Sequence, residues 1–298
     1  MIYHSLKKTD LKLSAIGFGC MSIEGSYKEN EKLIHHAVDL GINFFDTADL
    51  YQHSENEQTV GKALKSKRHD VFIATKVGNQ WNPDGKSWDW NPSKAYILEA
   101  VEKSLKRLQT DRIDLYQLHG GTINDPIDET IEAFEILKGQ GKILHYGISS
   151  IRPNVIREYM ERSSIVSVMM QYSLLDRRPE ENCLESLKEK NIGVLTRGSL
   201  AKGLLAGKAP AEMLGYTDKE VASLQKAIQK LSHEDRTEAQ TALHWVLSNK
   251  AVCSAVVGIR TEKQLLEIAE TIKAPALTKA EKETLDQVLA PKTYQEHR

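Results

Sequence analysis

The stretch Asn43-Phe-Phe-Asp-Thr-Ala-Asp-Leu-Tyr51 decides how this chain is read. It opens as a buried strand, with Ile42, Phe44 and Phe45, and ends on two polar groups, Asp46 and Tyr51. Two later apolar runs close in the same way. Val71-Phe-Ile-Ala-Thr-Lys76 ends on a lysine and Ile113-Asp-Leu-Tyr-Gln-Leu-His119 on a histidine. Each is followed by a loop and then by helical periodicity. In a parallel β/α fold the C-terminal ends of the strands share one face, and that face carries the chemistry. Asp46, Tyr51, Lys76 and His119 are therefore expected to converge.

Working outward, apolar runs at 15–19, 42–46, 71–76, 113–119, 142–149, 165–171, 192–196 and 251–257 read as strands. Helical spacing falls between them at 31–40, 57–65, 93–108, 127–137, 153–160, 180–190, 234–248 and 261–272. A loose alternation around Thr9-Asp10 suggests a short hairpin at 2–14, and two extra helices are expected at 218–231 and 278–289. Residues 77–92 show no regular pattern and hold Trp81, Trp88 and Trp90. No linker or low-complexity tract divides residues 1–298. The pattern predicts one (β/α)8 TIM barrel domain with an N-terminal hairpin and extra helices; a doubly wound sheet is the second choice.

Composition narrows the function classes. Forty basic against forty-one acidic residues leave a net charge of −1, which offers no general attraction for nucleic acid or an acidic membrane. The three cysteines, Cys20, Cys183 and Cys253, lack metal-ligand or CxxC spacing and read as reduced thiols. No apolar run approaches the ~20 residues that span a bilayer, and the N-terminus lacks the apolar core of a signal peptide. A cytoplasmic protein is expected. With no heptad seam or long exposed apolar strand in the pattern, a monomer is expected as well.

The four strand-end residues suit carbonyl reduction. An aldehyde oxygen gains negative charge as hydride reaches its carbon, and an acid must supply a proton there. Free tyrosine titrates near ~10. An adjacent ammonium stabilises phenolate and is expected to lower that value, while a carboxylate beside the lysine keeps it charged. His119 can donate a second hydrogen bond that orients the carbonyl. Taken singly, Asp46 reads more readily as a helix cap or turn former, Tyr51 as a loop ring and His119 as a turn histidine, and Lys76 equally well as a surface residue. Their joint placement on consecutive β/α units brings the catalytic reading level with these alternatives.

In order and combination, the segments Gly41–Tyr51, 74–77, 114–119, Gly147-Ile-Ser-Ser150, Met170-Gln-Tyr-Ser-Leu-Leu175 and Gly203-Leu-Leu-Ala-Gly-Lys208 resemble an aldo-keto reductase. The likeness is greatest to bacterial members with a long tryptophan-bearing loop after strand 3. The resemblance implies Tyr51 as acid, Lys76 and Asp46 as its tuning pair, and His119 as the orienting group. It implies that Ser149 and Gln171 bind the nicotinamide carboxamide, with Gly19, Cys20, Met21 and Asp46 lining the cofactor. Arg197, Gly198, Ser199, Leu200, Lys202 and Gly203 would pass over the pyrophosphate. Gly258, Arg260, Lys263, Gln264 and Glu267 would meet the adenosine end, where Arg260 or Lys263 suits a 2′-phosphate and hence NADPH.

Four departures from that pattern stand out: Ser150 replaces Asn, Ile268 replaces Asn, Arg197 replaces a stacking aromatic, and Gly120-Gly121 promises a wider substrate mouth. Trp81 is the candidate for substrate contact alongside Tyr51 and His119. Trp88 and Trp90 are expected to anchor the loop, and Trp245 to lie in the core.

Rival signals fall short. Gly17-Phe-Gly-Cys-Met-Ser22 misses the third glycine of a dinucleotide fingerprint. Gly203–Lys208 lacks one spacer and the Ser/Thr of a P-loop, and no HxH or HExxH suggests a metal. The competing function class is an NADPH-sensing, partner-binding regulator on the same fold.

Overall fold

The computed structural model describes residues 1–298. Two short strands, β1 (Tyr3–Ser5) and β2 (Lys12–Ser14), pair antiparallel ahead of the main fold. There follow β3 (Ile16–Gly19), α1 (Tyr27–Asp39), β4 (Phe44–Asp46), α2 (Glu55–Leu64) and β5 (Phe72–Val77). A ribbon of β6 (Asn79–Trp81) and β7 (Trp88–Trp90) precedes α3 (Lys94–Leu108). Next come β8 (Ile113–Leu118), α4 (Ile127–Gly139), β9 (Ile143–Ser149), α5 (Pro153–Arg162), β10 (Ser167–Gln171), α6 (Cys183–Glu189) and β11 (Gly193–Arg197). The chain ends with α7 (Asp218–Leu231), α8 (Glu238–Leu247), β12 (Val252–Gly258), α9 (Glu262–Ala269) and α10 (Lys279–Val288).

Eight parallel strands close in the order β10-β11-β12-β3-β4-β5-β8-β9, which is the expected (β/α)8 barrel. Two apolar layers hold it. The larger lies between strands and helices. The smaller fills the lumen, where Phe44, Ala74, Leu115, Met169, Leu195 and Val256 point inward and Leu6, Leu11 and Leu13 of the hairpin plug the N-terminal end. Strand side chains alternate with period two. The inward residue two places beyond each lumen residue is therefore Asp46, Lys76, Gln117, Gln171, Arg197 and Gly258, in that order. An apolar floor thus carries a polar ring one layer above it.

Several element boundaries differ from expectation, each for a local reason. Helix α1 starts at Tyr27 because Ser26 and Glu29 form a reciprocal capping box. Helix α8 starts at Glu238 because Thr237 and Gln240 do the same. The helix predicted from residue 180 is a single 3₁₀ turn, Arg178–Glu181, and only then α6. The supposedly irregular 77–92 stretch contains the β6–β7 ribbon, whose three-residue strands are too short to show a period.

Helices α2 and α3 cross at Gly61, where an added Cβ would overlap the Leu108 backbone. Gly61→Ala should lower the denaturant-derived stability by about 1–3 kcal/mol. Gly139→Ala, at an open helical position, should leave it unchanged or raise it slightly.

Candidate active site

Neighbouring strand ends are in register around the mouth: Gly258 with Gly19, Gly19 with Asp46, Lys76 with Gln117, and Gln171 with Arg197. Within that ring the Lys76 ammonium donates to Asp46 Oδ2 at 2.7 Å, to the Thr47 carbonyl at 2.6 Å and to the Tyr51 hydroxyl at 3.3 Å. All three of its protons are used. Asp46 and Lys76 are only 4% and 1% exposed, so the pair is fixed away from water. Gln117 Nε2 lies 3.4 Å from the other Asp46 oxygen.

The His119 ring meets the Tyr51 ring edge-on, with centroids 5.9 Å apart. Its backbone is pinned on both sides: the amide donates to the Val77 carbonyl at 2.7 Å, and its carbonyl accepts from Asn79 Nδ2 at 3.1 Å. The buried Nδ1 has no protein partner. The sequence reading missed Thr47, Gln117 and Asn79. Gln117 had a usable signal, since a glutamine in a fully buried strand must bond something inside.

After Tyr51 the backbone makes an unusual turn. Gln52, His53 and Ser54 all have positive φ, at 49°, 53° and 72°, with no glycine among them. Side chains hold the turn in place. Gln52 donates to the Ile23 carbonyl at 2.9 Å and accepts from Asn56 at 3.2 Å, and Ser54 donates to the Asp49 carbonyl at 2.7 Å. His53 stacks on Trp81 with ring centroids 4.0 Å apart. One face of Trp81 is thus occupied by the protein itself.

Trp90 packs over Gly78 and Gly120 and donates to Asp125 at 3.0 Å, so it anchors the ribbon. Trp88 does not; it is 48% exposed. The glycines after His119 accordingly widen nothing at that point. Gly120 gives room to the Trp90 ring, and the Gly121 carbonyl accepts from Arg152. Trp245 is buried in the core.

The aldo/keto reductase family model covers residues 15–290. The chain belongs to that family. It is 47% identical over 302 residues to the uncharacterised oxidoreductase YqkF of Bacillus subtilis, covering 98% of each chain. It is 30% identical over 278 residues to the NADP(+) aldo-keto reductase yakc of Schizosaccharomyces pombe, covering 85% of this chain and 82% of that protein. The holo form of aldo-keto reductase AKR11C1 from Bacillus halodurans superposes with a TM-score of 0.94 at 47% identity, covering 100% of this chain and 99% of the other. The apo form of the same enzyme gives 0.85.

The residues expected from the sequence to meet a cofactor are spread over strand ends, the loop after β11 and α9. Ser149, Gln171, Arg197 and Gly258 end β9, β10, β11 and β12. Gly19 ends β3; Cys20 behind it is buried and Met21 exposed. Ser150 is buried, its hydroxyl accepting from the Arg152 amide at 3.2 Å. In the loop after β11, Gly198, Ala201, Lys202 and Gly203 adopt left-handed backbone, Ser199 bonds Thr196 at 3.0 Å, and Leu200 is half-buried. Arg260 and Lys263 are exposed; Arg260 lies 3.5 Å from Glu24. Gln264 accepts from the Arg260 amide at 2.9 Å, so its side chain already serves the fold, while Glu267 is engaged only through its backbone carbonyl, which accepts from Gln240 at 2.9 Å. Ile268 is buried.

Electrostatics correct one expectation. Burial pushes the Tyr51 phenol above its ordinary value, and the opposing pull of Lys76 does not overcome it. Burial likewise pushes Asp46 up against the pull of Lys76. For Lys76, burial opposes the charge, but Asp46 and Tyr51 outweigh it and hold the ammonium above its usual range. Burial, then Lys76 and Arg197, drive His119 down to about 3.

The imidazole is therefore neutral at any physiological pH. Its folded value lies below the unfolded ~6.5, so its contribution to stability is complete above that and is lost as pH falls toward about 3. His119→Gln should flatten the stability profile in that acid window. Ring NMR shifts of His119 should show no titration between about pH 5 and 8.

Proposed function

We propose that this aldo/keto reductase family member reduces aldehydes, and also ketones or dicarbonyls, to alcohols with NADPH, using Tyr51 as the general acid. The observation that carries this reading is the Lys76 ammonium shared between the Tyr51 hydroxyl and Asp46. The rim fits the cofactor's chemistry. Amide and hydroxyl side chains, Gln171 and Ser149, face one part of the mouth, while Arg197, Lys202, Arg260 and Lys263 supply cations along the arc from β11 to α9. The greater likeness to the holo than to the apo form of the B. halodurans enzyme supports the same view. When bound, reduced nicotinamide supplies hydride to the carbonyl carbon.

The protein's part is proton transfer and orientation. A phenol held above its usual range remains protonated at neutral pH, so the proton is present when the carbonyl oxygen begins to gain charge. Once it leaves, the phenolate faces an ammonium at 3.3 Å that was already in place. Lys76 thus acts on the charge that develops in the transition state rather than on the resting phenol. Neutral His119 keeps one ring N–H and can donate to the same oxygen without adding a charge.

Tyr51→Phe should reduce turnover by about 10²–10⁴-fold while leaving NADPH affinity within a few-fold. Stopped-flow oxidation of bound NADPH by simple aldehydes reads both quantities. Near-normal turnover would remove Tyr51 from this role, and wild-type binding without carbonyl-dependent oxidation would indicate a sensor.

Arg260→Ala should weaken NADPH about 10–100-fold, the scale of a lost charged hydrogen bond, and NADH far less. Equal losses would exclude a 2′-phosphate contact.

A further inference from the structure

Beside the barrel mouth, the loop after β4, the β6–β7 ribbon and α3 enclose a cavity of about 200 Å³. Asp49, Ser54, Trp81, Tyr96, Lys103 and Arg107 line it, and none of Asp46, Tyr51, Lys76 and His119 does. A groove of about 370 Å³ along α3 shares Lys103 and Arg107 and adds Lys106. Two buried polar atoms of the lining have no partner, Asp49 Oδ1 and the Trp81 indole nitrogen.

Asp49 is 5% exposed, its Oδ1 has no hydrogen-bond partner, and no basic side chain forms an ion pair with it. Arg107 is committed to fully buried Glu57, with its Nε 2.6 Å from the carboxylate. Glu57 also accepts from Thr75 at 2.5 Å, so that pair is satisfied. Burial and the neighbouring Glu57 push the Asp49 carboxyl well above the carboxylate range, and the opposing pulls of Arg107 and Lys76 do not overcome them. Toward solvent the imbalance is the opposite. Lys103 has only an exposed partner one helical turn away, Glu99, and Lys106 has none. Exposed pairs of that kind hold their members weakly. A buried carboxyl without a partner therefore lies inside, and available positive charge lies at the entrance.

We propose that this cavity is a second small-molecule site, taking a zwitterion of amino-acid size with its ammonium on Asp49 and its carboxylate on Lys103 and Lys106. Trp81 supplies a hydrogen-bond donor on the wall. Trp81 also stacks on His53, two residues beyond Tyr51, so an occupant would touch the turn that carries the phenol.

Calorimetric titration of the full chain with 4-aminobutyrate, butyrate and butylamine tests the assignment. The zwitterion should bind at least about tenfold more tightly than either half-molecule. Asp49→Asn should reduce it to the level of butyrate, and Lys103→Ala to that of butylamine, with circular dichroism showing both variants folded. Equal binding of butyrate and 4-aminobutyrate would overturn the proposal in favour of a basic surface that collects anions. Absence of heat from all three at millimolar concentration would overturn it outright. Lys103 is exposed, so its variant decides the question even if Asp49→Asn does not fold.

Discussion

The site depends on one buried ion pair. Lys76 and Asp46 sit 2.7 Å apart with almost no solvent contact, and removing either partner would leave an uncompensated charge. A buried pair of this kind is weak evidence for stability, because desolvation offsets most of its attraction. Its value is geometric. The ammonium has three acceptors and no freedom to choose others, so the Tyr51 hydroxyl meets a cation in a set position. The apolar floor made by Phe44, Ala74 and Leu115 carries this arrangement, since the next inward residue on each of those strands belongs to the polar ring.

Much of this was legible in the residue pattern. Strand periodicity and the recurrence of strand, loop and helix identified eight β/α units. The polar residues that end apolar runs, Asp46, Lys76 and His119, were visible because they interrupt an otherwise buried stretch. What escaped reading was either too short or too distant. Three-residue strands cannot display an alternation, so the β6–β7 ribbon passed for irregular chain. The support from Gln117, Asn79 and Thr47 joins residues up to 71 positions apart, and nothing local announces it. The packing of Trp90 over Gly78 and Gly120 is of the same kind. Glycine after His119 looked like empty space, and it is space already filled.

The phenol shows why residue types alone mislead about charge. A lysine beside a tyrosine argues for a lowered pKa, and the sign of that pairwise effect is correct. The larger effect is loss of water around the hydroxyl, and burial is a property of the folded chain. His119 follows the same rule more strongly, with burial as the leading cause and two nearby cations adding to it. Both groups are consequently kept in their neutral, proton-bearing forms, a condition that suits a site built to donate.

The run of left-handed backbone at Gln52, His53 and Ser54 carries a consequence for anyone seeking a hardier enzyme. Side-chain-bearing residues in that conformation each cost on the order of 1 kcal/mol, so the segment is an obvious place to substitute glycine and gain heat tolerance. Yet each of the three spends its side chain on a separate tether: one to Ile23 and Asn56, one to Trp81, one to Asp49. Relaxing the curve would cut those moorings, and the gain in melting temperature would come at the expense of how firmly the neighbouring phenol is aimed.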